Sequence, residues 1–238
     1  MFSENEKNGI EGAKAAIKAV IDQRKLLWNG ITRNVVIAGG FFTSWLRRDK
    51  FKDIDIFVLN NDVQVYNLLI RGFHQQQVAV SNTVSTADYN NVTLDSIFDA
   101  PMSPGEWSRS EMMTYKHDKN IVDVINNNQT QAQYILTAYK TREELLESFD
   151  YKHCKVSYVP VEDKLYINRE TFDCIKLKVL KWNNKQDNNP NQLYRKNKFL
   201  NEGWVLETDL TQEVNEVMQG TGNSLLNAYQ VWKQQNPP

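Results

Sequence analysis

Apolar residues recur at helical spacing from residue 11 to 28, where Ala13, Ala16, Ile17, Val20, Leu27 and Trp28 form one stripe and Asn29-Gly30 offers a stop. The run VVIAGG then predicts a short buried strand entering a glycine turn, FTSWLRR a brief helix, and DIDIFVL a second strand. Asn60-Asn61-Asp62 offers a cap for a helix over VQVYNLLI. Residues 74–118 mix polar runs with Pro101 and Pro104 and carry little periodicity, which predicts loops and short elements decorating one edge. KNIVDVIN and QAQYILTAY predict two strands joined at Asn126-Asn127-Asn128. Thr141 and Glu144 form a capping-box pattern opening a helix over TREELLESF. HCKVSYV and KLYI predict a further strand pair, turning around Glu162-Asp163. From Arg169 onward the pattern is helical: TFDCIKLKVLKW, then NQLYRKNKFLNEG with Gly203 as its stop, then VNEVMQ and SLLNAYQVW.

This order predicts a sheet-containing core over residues 1–168, carrying an insertion at about 74–118, and a helical region over 169–238. At 41% hydrophobic and 24% charged residues, long disordered stretches are not expected. No window approaches the roughly 18 uninterrupted apolar residues of a membrane span, and the first residues lack the basic-then-apolar pattern of a secretory signal. Cys154 and Cys174 are too few for a disulfide framework, so a reducing, cytoplasmic setting is expected. A net charge of −1 argues against a chain that coats nucleic acid. Lys176, Lys178, Lys181, Lys185, Arg195, Lys196 and Lys198 nevertheless cluster with only Asp187 to balance them, as either a solvated face or a phosphate-facing patch. His74, His117 and His153 share no ligand spacing and read as packing or surface residues.

The chemistry concentrates between Val35 and Leu59. Along a strand Asp53-Ile54-Asp55-Ile56-Phe57, side chains alternate, so the isoleucines enter the core while both aspartates take the other face. Two carboxylates roughly 6.5–7 Å apart along a strand can converge on a pair of divalent ions about 3.5–4 Å apart. Side by side they repel unless a cation or solvent compensates, so the pair invites a metal explanation. Gly39-Gly40, between a buried strand and a helix, lets backbone approach phosphate oxygens, with the helix N-terminus favouring anions. Ser44 is placed to donate a hydroxyl to the same phosphates. A divalent metal, Mg²⁺ or Mn²⁺, on Asp53 and Asp55 beside an NTP on Gly39, Gly40 and Ser44 is the equipment of nucleotidyl transfer.

GGFFTSWLRRDKFKDIDIFV resembles the Gly-Gly … Asp-x-Asp signature of the DNA polymerase β-like nucleotidyltransferases. The rest is similar to the head domain of class II tRNA nucleotidyltransferases (CCA-adding enzymes) and bacterial poly(A) polymerases. SFDYKHCKVSY resembles their Arg-Arg-Asp-Phe-Thr-Ile-Asn segment, with Asp150 on its aspartate, and YRKNKFLNEGW their later helix, with Arg195 on its arginine. The stretch QYILTAYKTREELLESFDYKHCKVSY is also similar to viral and fungal proteins of this superfamily.

The resemblance implies an α+β nucleotidyltransferase fold with a mixed, mostly antiparallel sheet flanked by helices and followed by a helical C-terminal region. It implies NMP transfer from an NTP to a hydroxyl of RNA, tRNA, a small molecule or a protein, with Arg195 at the nucleotide. Host cytoplasm or a virion would be the setting if the chain is viral. Two departures stand out. Phe41 to Trp45 follow Gly-Gly where the family has Arg-Asp, and Ser148-Phe149 replace its twin arginines. The strand that carries the family's third acid aligns here with Gln133, leaving Asp150 and Asp123 as alternatives, Asp150 preferred. Those departures keep a second reading open, an inactive nucleotidyltransferase-like binding or structural protein.

Overall fold

The computed structural model describes residues 1–27, 30–50, 53–70, 72, 107–109, 114–118, 121–126, 129–186 and 189–208. An eight-stranded sheet organises them, built from β1 (Val35–Ala38), β2 (Asp55–Val58), β3 (Trp107–Arg109), β4 (Thr114–Asp118), β5 (Ile121–Asn126), β6 (Gln129–Leu136), β7 (Ser157–Val159) and β8 (Lys164–Tyr166). The order across it is β3-β4-β5-β6-β2-β1-β7-β8. Within this sheet, among the described residues, only the β2–β6 pair is parallel. The mixed, mostly antiparallel sheet expected from the sequence is therefore observed. β3 and β4, from the stretch read as edge decoration, form one margin of the sheet; most of 74–118 lies outside the described residues.

Helices cover both faces. α1 (Glu4–Arg24), α2 (Gly40–Arg47), α3 (63–70) and α5 (Arg169–Leu177) flank a core that includes Ile17, Val35, Ile37, Phe42, Ile54, Ile56, Val58, Tyr134 and Phe172. On the opposite face α4 (Arg142–Glu147) places Leu145 and Leu146 against Val36, Ala38 and Leu59. β2 thus divides its side chains as a period of two demands: Ile54 and Ile56 are fully buried, while Asp53 and Asp55 are only partly so. The ladder begins at Asp55 rather than Asp53, although Gln133 N–H still donates to the Ile54 carbonyl at 2.8 Å.

Local signals explain most boundaries. Ser3 and Glu6 form a full capping box that starts α1 well before residue 11, and Lys25, at φ 51°, ends it ahead of Asn29-Gly30. Asp62 Oδ1 accepts from Val65 N–H at 3.1 Å, capping α3. Thr141 Oγ1 accepts from Glu144 N–H, and Glu144 accepts in return from Lys140 N–H at 2.7 Å. The stretch HCKVSYV is a strand only over Ser157–Val159; Lys152–Cys154 form a 3₁₀ turn that carries His153 inward. After Arg169, α5 ends at Leu177, short of the helix expected over TFDCIKLKVLKW, and α6 (Pro190–Asn201) forms where NQLYRKNKFLNEG predicts it. Between them the sequence gives no warning of β9 (Val179–Leu180) and β10 (Val205–Leu206), a parallel pair reached by turns at Lys178, φ 54°, and Gly203, φ 81°. Pairs of two residues are too short to show periodicity. VNEVMQ, SLLNAYQVW, Tyr229 and Trp232 lie outside the described residues.

β9, β10 and α6 enclose an aromatic cluster of Tyr151, Trp182, Phe199 and Trp204. His153, 1% exposed, lies within it, 4.2 Å from the Trp204 ring centroid and 4.7 Å from that of Phe199. Neither ring nitrogen has a hydrogen-bond partner among the described residues. Burial, helped by the Arg47 guanidinium, pushes its pKa down to about 3. The unfolded chain therefore takes up this proton first as pH falls below about 6.5, and stability drains away down to about 3. Denaturant melts of the wild type should lose about 2 kcal/mol between pH 7 and pH 5 from this group alone. His153→Phe should flatten that part of the profile; an unchanged slope would contradict the assignment.

Candidate functional site

The antiparallel register sets Ala38 of β1 opposite Asp55 of β2, so the chain leaves β1 beside the start of β2. It leaves through Gly39, at φ 95° and ψ −147°, a conformation side-chain-bearing residues avoid. A Cβ at Gly39 would stand 2.5 Å from Asp55 Oδ2. Glycine is thus needed twice over, for its backbone and to let the carboxylate lie against the turn. Gly39 is also the N-cap of α2, where no side chain caps the helix. The first N–H groups of α2 and the Asp55 carboxylate therefore sit together, one suited to an anion and the other to a cation. A Cβ added at Gly40 meets nothing within 4 Å, so the turn opens onto free space. Ser44 lies one helical turn behind Gly40 on the same side of α2, and is partly buried.

Across the sheet, Asp55 pairs with Gln133, and Gln133 with Asp123. Directly opposite residues share a face, so Gln133 shares that of Asp55. Asp123 is two strands from Asp55, about 10 Å at the usual strand spacing. The aligned strand position thus carries an amide. Among the described residues no group of three or more His, Cys, Asp or Glu side chains is arranged to hold a metal ion. Asp53 and Asp55 supply two carboxylates on one face, and the gap at Gly39 keeps room for Asp55; this donor set suits a hard divalent cation that completes its shell with water and phosphate oxygens.

Asp150 is placed otherwise. Its Oδ1 accepts from Gln192 Nε2 at 2.7 Å, its Oδ2 pairs with Arg195, and its side chain is 11% exposed. Its backbone carbonyl accepts from Asn183 N–H at 2.8 Å. Asp150 therefore joins the sheet unit to α6, and Arg195 is carried to this position by that helix. Gln192, 3% exposed, was not singled out in the sequence. Its amide also donates to the Asn184 carbonyl at 2.6 Å, which accounts for its burial.

Cys154, a free thiol, closes the 3₁₀ turn that carries His153. Burial first, then the carboxylates of Asp150 and Asp55, push its thiol up to about 12, while Arg195 and Lys198 act in the opposite sense. The thiol thus stays protonated and unreactive at neutral pH. Other members of the basic run are engaged structurally: Lys178 Nζ donates to the Glu202 carbonyl at 2.9 Å, and Lys181 bridges Glu170 and Glu207. Lys176 Nζ reaches the Leu46 carbonyl at 3.4 Å.

A mixed sheet with an Asp-x-Asp strand beside a glycine turn that opens a helix defines a protein of the nucleotidyltransferase fold. A Thermotoga maritima CCA-adding enzyme complexed with tRNA shares it at 16% identity and a TM-score of 0.50, over 79% of this chain and 39% of that one. A CCA-adding enzyme with CTP aligns at 15% identity and a TM-score of 0.48, over 86% of this chain and 45% of its own. The chain thus spans less than half the length of these enzymes. No curated protein matches it in sequence. Residues 11–178 match the family described as Gad2, Gabija anti-defense 2 family protein, and the chain belongs to that family.

If the site takes Mg²⁺ and a nucleotide, Gly39→Ala, which would displace the Asp55 carboxylate, should weaken that binding at least tenfold by calorimetry, with the sheet retained by circular dichroism. Asp150→Ala removes the carboxylate partner of Arg195 and one of the two acceptors of the buried Gln192 amide. It should cost about 1–3 kcal/mol in denaturant melts, while Mg²⁺ affinity changes less than twofold; a tenfold loss of metal affinity would instead make Asp150 a ligand.

Proposed function

We propose that this chain is a nucleotidyltransferase that moves NMP from an NTP to a hydroxyl acceptor, in the anti-defense role its family's description names. The observation that carries the reading is the Asp55 carboxylate lying against Gly39 at the uncapped start of α2. Asp53 and Asp55 would hold Mg²⁺, which would neutralise phosphate charge and favour the ionised acceptor. The backbone N–H groups at Gly39-Gly40 and the Ser44 hydroxyl would bind the triphosphate, fixing its direction along the α2 axis. Asp150 acts through Arg195 in this reading, holding the guanidinium on α6 where it can meet the nucleotide. The acceptor is an RNA 3′ end, a small molecule or a protein, and a component of the defence machinery fits the family's description best.

A second reading is favoured by Gln133 in the row of Asp55: a protein that binds metal and nucleotide without transfer, and acts by binding alone. Labelled NTPs with Mg²⁺ and extracts containing or lacking the targeted defence system separate the two. Transfer of label that falls by about three orders of magnitude in Asp53→Asn and Asp55→Asn supports the enzyme. Equal labelling by wild type and variants sinks it. Metal-dependent binding with no labelled product under any acceptor supports the second reading.

A further inference from the structure

At the other end of α2 from the glycine turn lies a cavity of about 840 Å³, bounded by the first half of α1, the C-terminal turn of α2 and the face of α5. Its wall on α1 includes Gly9 and Gly12. Glycine within a helix is unfavourable, and here neither position demands it. A Cβ at Gly9 meets nothing within 4 Å, and one at Gly12 only the Trp45 Nε1 at an ordinary 3.9 Å. Gly12 lets the edge of the Trp45 indole close on the helix backbone, and Gly9 leaves the next turn of the wall bare. That indole is stacked on Phe41, 6.5 Å between centroids at 14°, yet it remains 42% exposed. An exposed indole surface beside the open space at Gly9 makes a slot suited to a planar ring.

The charges around the slot are unequal in availability. Of its acids, Glu6 is engaged by Arg169 at 2.9 Å and by the Ser3 N–H, and Asp49 by Arg47 at 2.8 Å. Of its bases, the Arg48 guanidinium makes no ion pair or hydrogen bond among the described residues, and Lys176 has only the Leu46 carbonyl at 3.4 Å and the Phe172 ring. Two available cations therefore border an aromatic slot at a size that suits a small ligand.

We propose that this cavity is a second nucleotide-unit site, with an aromatic base against Trp45 and its phosphate between Arg48 and Lys176. The unit comes either from a free nucleotide or from one residue of a single strand; base stacking with cationic contact to phosphate is the shared chemistry. The eight-residue α2, roughly 12 Å long, separates this site from Gly39 and Asp55, and it needs no metal.

Calorimetry in EDTA tests it, with AMP and a short single-stranded RNA as probes and Asp55→Asn as background. Metal-independent binding of either probe is expected in the wild type and in Asp55→Asn alike, so a failed transfer assay leaves this result readable. Gly9→Leu starts from a Cβ that meets nothing within 4 Å and favours the helix, with folding checked by circular dichroism; it should weaken binding at least tenfold, as should Arg48→Glu. RNA binding at least tenfold tighter than AMP identifies a strand as the source, and equal affinities a free nucleotide. No binding of either probe at millimolar concentration, or binding untouched by both substitutions, overturns the proposal.

Discussion

The structure turns on a missing side chain. Gly39 takes a left-handed φ and leaves no Cβ, so the Asp55 carboxylate rests where any other residue would collide with it. The arrangement depends on the antiparallel pairing of β1 with β2, which sets Ala38 opposite Asp55. It also depends on α2 beginning at once, since a longer connection would carry the helix N-terminus away from the carboxylate. Strand register, turn conformation and helix start are thus one constraint, and metal-side and phosphate-side groups meet only because all three hold.

The faces of β2 separate stability from chemistry. Ile54, Ile56 and Val58 bury themselves under α1, α2 and α5, at a stabilisation of roughly 1.5–3 kcal/mol each. The other face is covered more lightly, by α4 and the Phe57–Phe149 contact, and the carboxylates emerge at its edge. A polar pair on a strand is tolerable there because water or a cation can reach it. The second anchor is the Asp150 bridge to Gln192 and Arg195, which fastens α6 to the sheet beside the aromatic cluster around His153.

Much of this was legible in the residues. The period of two over Asp53–Phe57 assigned the faces of β2 correctly, because alternation is a property of any strand whose one side is buried. The caps at Asp62 and Thr141 were readable since each needs only a side chain and an N–H a few residues on. The parallel pair β9–β10 was not readable, nor the 3₁₀ turn at Lys152–Cys154, as each depends on partners far along the chain. Gln192 looked like one more polar residue in a glutamine- and asparagine-rich stretch; only the fold brings it to Asp150.

By itself, the sequence determined the α+β class, the strand and helix order around the glycine turn, and the two aspartates with their facing. These follow from local periodicity and from conformations open to glycine alone. Tertiary structure decided what faces what: Gln133 in the row of Asp55, Asp150 turned to Arg195, and a cavity between α1, α2 and α5. Pairing register and helix packing are set by the sum of many distant contacts, and no short window of residues contains that sum.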